Sequence, residues 1–240
     1  MVKGKTRYAR VLLKISGEGF CSENSRGIEK EDVYSIAREI EHASKIGAEI
    51  AVVVGGGNIF RGSKLNLSGI DRTRADQLGM VATTMNALVL QGALEDLGLS
   101  ACVQSAISIQ QVVRSYSQQV CLKRLKEGCI VILAGGTGNP YFTTDTAAAL
   151  RAVEIGANVL LKATKVDGVY SADPLTHPEA KRYEELSYGD VLSENLKVMD
   201  ATAITLCMEH KLPIIVFNLK RPRNIERAVK GERIGTYIGE

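Results

Sequence analysis

The sequence predicts an α/β protein, a three-layer αβα sandwich around an open, mainly parallel sheet. Three observations carry this. Short β-branched runs alternate with longer segments of helical period, which is the pattern of linked βαβ units. The runs are apolar nearly throughout, so helices are needed on both faces of the sheet. Two of them end in glycine clusters that lead toward helices, an arrangement found at the ligand-binding edge of parallel sheets.

In chain order, the first strand is Val11 to Ile15, interrupted only by Lys14. Val33, Ile36, Ala37, Ile40, Ala43 and Ile46 then recur every three or four residues, with Gly47 at the stop position; this spacing predicts an amphipathic helix. Ile50 to Val54 is the second strand, and Leu78 to Leu97 a second helix with Val81, Met85, Leu88, Val89 and Leu94 in a similar rhythm, ending at Gly98. Further strands follow at Ala101 to Val103, Ile130 to Leu133, Val159 to Leu161 and Ile214 to Phe217. An alanine-rich helix, Thr143 to Ile155, is opened by Thr143, Thr144 and Asp145. After about residue 163 the composition changes to a turn-rich stretch with Asp173, Pro174 and Pro178, followed by Leu186 to Met208. No linker divides the chain, so residues 1–240 form a single domain with lobes over approximately 1–163 and 164–240.

The 240 residues are 45% hydrophobic and 24% charged, which excludes a disordered or collagen-like polymer. Net charge is +3 and spread along the chain, so nucleic acid is not implied. The densest basic stretch, Lys220, Arg221, Arg223, Arg227, Lys230 and Arg233, is interleaved with Glu226 and Glu232 and reads as a solvated helix face. Cys21, Cys102, Cys121, Cys129 and Cys207 are odd in number and form no Cys-x-x-Cys pair, which removes a disulfide framework and a metal knuckle and favours a reducing compartment. Cys102 and Cys129 lie in apolar runs and are expected to pack as small hydrophobes. His42, His177 and His210 are separated from one another and read as surface or structural residues. No apolar run reaches membrane-spanning length and no cleavable leader is evident; the expected location is cytoplasmic, with no membrane partner.

The chemistry concentrates at strand ends. Ile50 to Val54 runs into Gly55-Gly56-Gly57, and Ile130 to Ala134 into Gly135-Gly136-Thr137-Gly138. Glycine there lets a phosphate approach bare backbone. Neither cluster fits G-x-G-x-x-G, because Phe60 and Tyr141 stand where the third glycine belongs, and no G-x-x-x-x-G-K-[ST] occurs. Lys14 sits in an apolar strand, where a lysine needs a partner; Arg61 follows the first glycine cluster, and Lys162 and Lys165 end another strand. Cations converging on one sheet edge suit phosphoryl transfer, which is catalysed mainly by positioning and charge neutralisation. Asp145, Asp173 and Asp200 have several uses open to them: orienting lysines, holding metal-bound water, binding ribose, or capping a helix.

Five segments together carry a family resemblance: Lys14-Ile-Ser-Gly-Glu, Gly55-Gly-Gly-Asn-Ile-Phe-Arg-Gly, Ala134-Gly-Gly-Thr-Gly-Asn-Pro-Tyr-Phe-Thr-Thr-Asp, Lys162-Ala-Thr-Lys-Val-Asp-Gly-Val-Tyr and Lys197-Val-Met-Asp. In this order the chain resembles the bacterial uridylate kinase branch of the amino acid kinase family over essentially its whole length. The resemblance implies the amino acid kinase fold and the conversion of ATP and UMP into ADP and UDP, in pyrimidine nucleotide synthesis. It implies a nucleotide-bound Mg²⁺ with no protein ligand named, a UMP-binding lobe over about 1–163 and an ATP-binding lobe over 164–240. The implied catalytic residues are Lys14, Arg61, Asp145, Lys162 and Asp200. The implied ATP-binding residues are Lys14, Ile15, Ser16, Gly17, Gly57, Arg61, Thr164, Tyr170 and Asp173. For UMP they are Gly56, with Asp76 on the ribose hydroxyls, and Thr137, Gly138, Asn139, Pro140, Tyr141, Phe142, Thr143 and Thr144.

The resemblance also implies an allosteric homohexamer built from dimers and inhibited by UTP. Phe20 to Gly27 departs from the glycine-rich pattern of Gram-negative-type members, which leaves GTP activation open, and Ser63 to Thr73 is a candidate regulatory segment. Two other readings are weighed against this one. A relative that phosphorylates a carboxylate or carbamate fits Asp76 and Thr137 to Thr144 poorly, and a non-catalytic nucleotide sensor would have no need to retain Lys14, Arg61, Asp145 and Lys162 together.

Overall fold

The computed structural model describes residues 6–22, 25–60, 69–174, 176–177 and 179–240. Its strands are β1 (Arg10–Ile15), β2 (Glu49–Val54), β3 (Ala101–Ser105), β4 (Arg114–Ser115), β5 (Ile130–Ala134), β6 (Val159–Thr164), β7 (Glu185–Ser187), β8 (Ile214–Asn218) and β9 (Thr236–Gly239). The helices are α1 (Lys30–Lys45), α2 (Arg72–Asp96), α3 (Gln118–Lys126), α4 (Thr144–Glu154), α5 (Tyr188–Ser193), α6 (Ala201–Glu209) and α7 (Asn224–Lys230). The strands form one sheet in the order β4-β3-β5-β2-β1-β6-β8-β9-β7. Every pairing is parallel except β8 with β9.

Strand parity sorts the side chains into two cores. Val11, Leu13 and Ile15 of β1, with Ile50, Val52 and Val54 of β2, pack against α1, α2 and α7. Leu12 of β1, Ala51 and Val53 of β2 and Leu160 of β6 pack on the opposite face against α3, α4 and α6. Because side chains alternate along a strand, Lys14 and Lys162 fall on the α4 face, two residues beyond Leu12 and Leu160. Strands β2 to β5 lie on one side of β1, and β6 to β9 on the other. The chain therefore reverses direction across the sheet at β1/β6, and in such sheets the crevice beyond the strand carboxyl ends at this point is the usual ligand position.

The structure departs from the sequence expectations in identifiable places. Helix α2 begins at Arg72, where the Asp71 side chain caps it by accepting from the Arg74 backbone N–H at 2.8 Å. This start lies six residues before the expected one, because the first turns carry Arg72, Arg74 and Asp76 and show no apolar rhythm. Leu78, Val81, Met85 and Val89 are 40–48% exposed, so much of the expected apolar rhythm faces outward. The inward face of α2 is Met80, Ala87, Leu90 and Leu94, with buried Thr83, Thr84 and Asn86 among them. Strands β4, β7 and β9 have two, three and four residues, too short to leave an alternating signature. The basic C-terminal stretch includes α7, which buries Glu226 along with Ile225, Ala228 and Val229, so the expected solvated face is only partly exposed; Lys230 pairs with the buried Glu226 and Arg227 with Glu232.

Candidate active site

Parallel pairing sets Lys14 of β1 directly opposite Lys162 of β6. Neighbouring strands lie about 4.8 Å apart, so two ammonium groups reach the same space beyond the sheet and repel one another. Asp145 answers that repulsion. It stands in the first turn of α4, whose cap is Thr143, the hydroxyl accepting from the backbone N–H groups of Asp145 and Thr146. Asp145 Oδ1 lies 2.8 Å from Lys14 Nζ, and Oδ2 lies 2.7 Å from Lys162 Nζ. One carboxylate thus holds one lysine on each oxygen. Lys162 also donates to the Val198 carbonyl.

Burial fixes the electrostatics of this cluster. Burial alone would raise the Asp145 carboxyl, and the adjacent Lys14 and Lys162 charges reverse this, holding it below the usual carboxylate range. Burial pushes the Lys162 ammonium down, the Asp145 carboxylate offsets part of that, and the Lys14 charge adds to the lowering. The trio carries one net positive charge in a poorly hydrated place, ready to receive an anion. Its position at a helix N-terminus adds the partial positive charge of the first turn.

The loops after β1 and β2 close the site on one side. Gly17 opens a short 3₁₀ turn, Gly17–Phe20, and a Cβ there would strike the Gly57 backbone nitrogen and approach Asn58 Oδ1 to 2.6 Å. The chain beyond Lys14 and the glycine triplet can pack this closely only with glycine. The second cluster turns at Gly135, whose φ is +77° and which donates its N–H to Thr83 Oγ1 at 2.8 Å.

Between the two clusters and α2 lies a cleft of about 180 Å³. Gly56, Asp76, Thr137, Asn139, Phe142, Thr143 and Thr144 all line it. Asp76 accepts both contacts of the Arg72 guanidinium at 2.9 Å and the Tyr141 backbone N–H at 2.8 Å. An ionised carboxylate has about four acceptor positions, so a further hydroxyl can be accommodated. Tyr141 has a left-handed backbone, φ 71°, costing about 1–2 kcal/mol for a non-glycine residue; the Asp76 contact and the Arg72 guanidinium 5.8 Å from its ring centre stabilise that conformation.

Gly138, Pro140 and Tyr141 are not part of the cleft lining, and Ile15 packs in the core on the α1 face. Asp200 caps α6, accepting from Ala203 N–H at 2.9 Å, and receives the hydroxyls of Thr143 and Thr146. It therefore fastens the start of α4, which carries Asp145, to α6. Ser16 and Thr164 line a second, smaller cavity together with Glu18 and Lys165, the last two 3.8 Å apart. Tyr170 pairs with Arg182 across an isolated bridge, and Asp173 turns the chain by accepting from the backbone of Thr176 and His177; neither lines that cavity. Arg61 and residues 63–68 of the candidate regulatory segment lie outside the described residues. Sequence reasoning missed Phe60, Met80 and Thr83 in the cleft. Thr83 left one signal, a polar residue on the inward face of a helix.

The sequence profile of the amino acid kinase family matches residues 9–218. A uridylate kinase from Legionella pneumophila (strain Lens) is 50% identical over 235 residues, covering 98% of this chain and 95% of that protein. Among solved structures, the UMP kinase of Bacillus anthracis superposes with a TM-score of 0.93 at 37% identity, over 97% of this chain and 96% of that one. The UMP kinase of Ureaplasma parvum gives 0.91 at 38% identity, over 98% and 100%. From the profile match across the sheet and the near-complete alignment with these relatives, the chain belongs to the amino acid kinase family.

Proposed function

We propose that the protein is a UMP kinase, a phosphotransferase that moves the γ-phosphoryl group of Mg-ATP to UMP and yields ADP and UDP. The observation that carries this reading is the buried Lys14–Asp145–Lys162 cluster at the strand ends beside the glycine-lined cleft. In the reaction the bond between the γ-phosphorus and the oxygen bridging it to ADP breaks, and a bond to a UMP phosphate oxygen forms. The acceptor is itself a phosphate with a second pKa near ~6, already ionised at neutral pH. No protein nucleophile or general base is required. What the reaction needs is neutralisation of the oxygens of the moving group, and the two lysines supply it from fixed positions.

Lys14 to Gly17 and Gly57 serve the ATP phosphates in this reading, with Thr164, Tyr170 and Asp173 toward the adenosine. Gly56 meets the UMP phosphate, Asp76 the ribose, and Thr137 to Thr144 the rest of the nucleotide. The lobe to about residue 163 thus presents UMP and meets the ATP phosphates, and the remainder takes the adenosine end of ATP. Asp145 is a positioning residue for both lysines, and Asp200 for Asp145. Among the described residues no group of three acid, thiol or imidazole side chains could cage a metal, and the Asp145 oxygens are taken by lysines. In this reading a Mg²⁺ arrives with the nucleotide, as suits an ion that sheds water reluctantly, and it would supply further charge neutralisation to the phosphates.

The same reading places the enzyme in pyrimidine nucleotide synthesis in the cytoplasm, where its five free thiols stay reduced. No helix among the described residues is long and apolar enough to cross a membrane. The protein is read as a homohexamer of dimers, supported by the outward stripe Leu78, Val81, Met85 and Val89 on α2. Inhibition by UTP follows as feedback. The test is ADP release from Mg-ATP against UMP, CMP, dUMP, GMP, N-acetylglutamate and carbamate, repeated with UTP and GTP. Activity confined to UMP is expected; turnover of an acyl or carbamate acceptor, or tight nucleotide binding without turnover, would overturn the reading.

A further inference from the structure

Helix α2 sends two buried polar side chains to the two glycine clusters. Asn86, fully buried, donates from Nδ2 to the Gly55 carbonyl at 2.7 Å and to Asn58 Oδ1 at 2.7 Å. Asn58 donates back from its own Nδ2 to Asn86 Oδ1 at 3.0 Å and to the Gly27 carbonyl at 2.7 Å. All four amide N–H positions of this pair are used, and each amide oxygen accepts. Gly55 is also held from the other side, its N–H bonding the Ile15 carbonyl of β1 at 2.8 Å. One turn earlier on α2, the Thr83 hydroxyl donates to the Met80 carbonyl at 2.6 Å and accepts the Gly135 N–H at 2.8 Å.

The first glycine cluster therefore hangs from Asn86 and the second from Thr83, three residues apart on one rigid helix. A buried, fully satisfied amide pair holds one geometry, because any shift leaves polar groups unpaired in a low-dielectric place. We propose that Asn86, together with Asn58 and Thr83, is a positioning element that fixes the spacing between the first glycine cluster, which meets both phosphates, and the second, which holds the rest of UMP, and hence the in-line alignment of the acceptor phosphate with the donor. This rests on the kinase reading above. Asn86 touches no nucleotide, being sealed beneath the triplet. Each cluster retains its own turn and its own backbone groups when the tie is lost, so each nucleotide still binds. What fails is their mutual alignment, which turnover alone requires.

The experiment compares Asn86→Ala, Thr83→Val and Thr83→Ser with the wild-type full chain, measuring kcat, both KM values and the thermal unfolding midpoint. The assay is run well below the lowest midpoint. Asn86→Ala and Thr83→Val are expected to lower kcat about 10- to 100-fold, the loss that a misplacement near 1 Å produces, while KM for ATP stays close to wild type in both and KM for UMP does so in Asn86→Ala, since Asn86 lies outside the cleft lining. Thr83→Ser keeps the acceptor oxygen and is expected to restore most of the turnover. A lowered unfolding midpoint with kcat unchanged in the folded protein would assign Asn86 to stability alone and overturn the proposal. Equal turnover for Thr83→Val and Thr83→Ser would do the same, even where Asn86→Ala fails to fold. A wild-type protein silent toward UMP would instead remove the underlying kinase reading.

Discussion

The charge cluster between β1 and β6 and the cleft beside α2 adjoin one another but are held in different ways. Lys14 and Lys162 stand opposite each other because two strands pair in register, and both are largely buried. The cleft is assembled from a helix and a loop, with Asp76 reaching across 65 positions of sequence to Tyr141 and with Tyr141 and Phe142 at least half exposed. In the proposed reading the reacting charge thus rests on buried, strand-borne side chains and recognition on a more exposed helix and loop. Rigid placement matters most where charge develops in the transition state, because stabilisation there depends on groups that need no reorganisation. Acceptor recognition tolerates an open mouth, since a nucleotide must enter and leave.

Substitutions test this division. Lys14→Ala has the largest expected effect on turnover, a fall in kcat of about 10²–10³-fold with KM for ATP and UMP changing far less, since the lost interaction is made mainly in the transition state; steady-state kinetics with both substrates would show it, and an unchanged kcat would break the comparison. Asp145→Asn comes next. Removing the one carboxylate leaves two buried ammonium groups facing each other, so stability should fall by roughly 3–5 kcal/mol, as for other broken buried pairs, measured by denaturant unfolding at neutral pH.

The third prediction concerns alkaline pH. The Lys162 ammonium is pushed below its ordinary range by burial, so kcat/KM should begin to fall below the usual lysine pKa of about 10.4. In the same window the unfolded chain binds the proton more tightly than the folded one, so the contribution of Lys162 to stability rises with pH. Activity and this stability term therefore move in opposite directions. Lys162→Arg should remove the alkaline limb, and a wild-type profile flat up to the ordinary lysine range would contradict the assignment. The smallest effect is expected in the cleft: Asp76→Ala should raise KM for UMP about tenfold, ~1.4 kcal/mol, with kcat changed much less. A kcat loss matching that of Lys14→Ala would erase the distinction between the regions.

Much of this fold was legible in the residues. The six long strands announce themselves as β-branched runs, and α1 as a regular stripe of Val33, Ile36, Ala37, Ile40 and Ala43. Helix α2 was harder to read, because it has two apolar faces and a polar inward patch. Its apolar rhythm includes an exposed stripe, while Thr83 and Asn86, buried on its inward side, break the apolar pattern there. Among candidate site residues, Lys14 and Lys162 stood out as charges in apolar strands. Asp145 read equally well as a helix opener and as a lysine partner, and it sits in the first turn of α4 while gripping both lysines.

Local physics sets the first kind of information: period, glycine freedom and the cost of an unpaired charge in a strand are written into neighbouring residues. By itself the sequence determined the alternation of strands and helices, the two glycine turns and the presence of strand-borne cations. Only the tertiary structure decided that β1 pairs with β6, so that Lys14 meets Lys162, and that Asp145 fills the space between them. It alone decided that Asn86 closes on Gly55 from 31 residues away. Strand order and helix docking are settled by the burial of whole faces against one another, a sum over many distant contacts that no single segment of sequence contains.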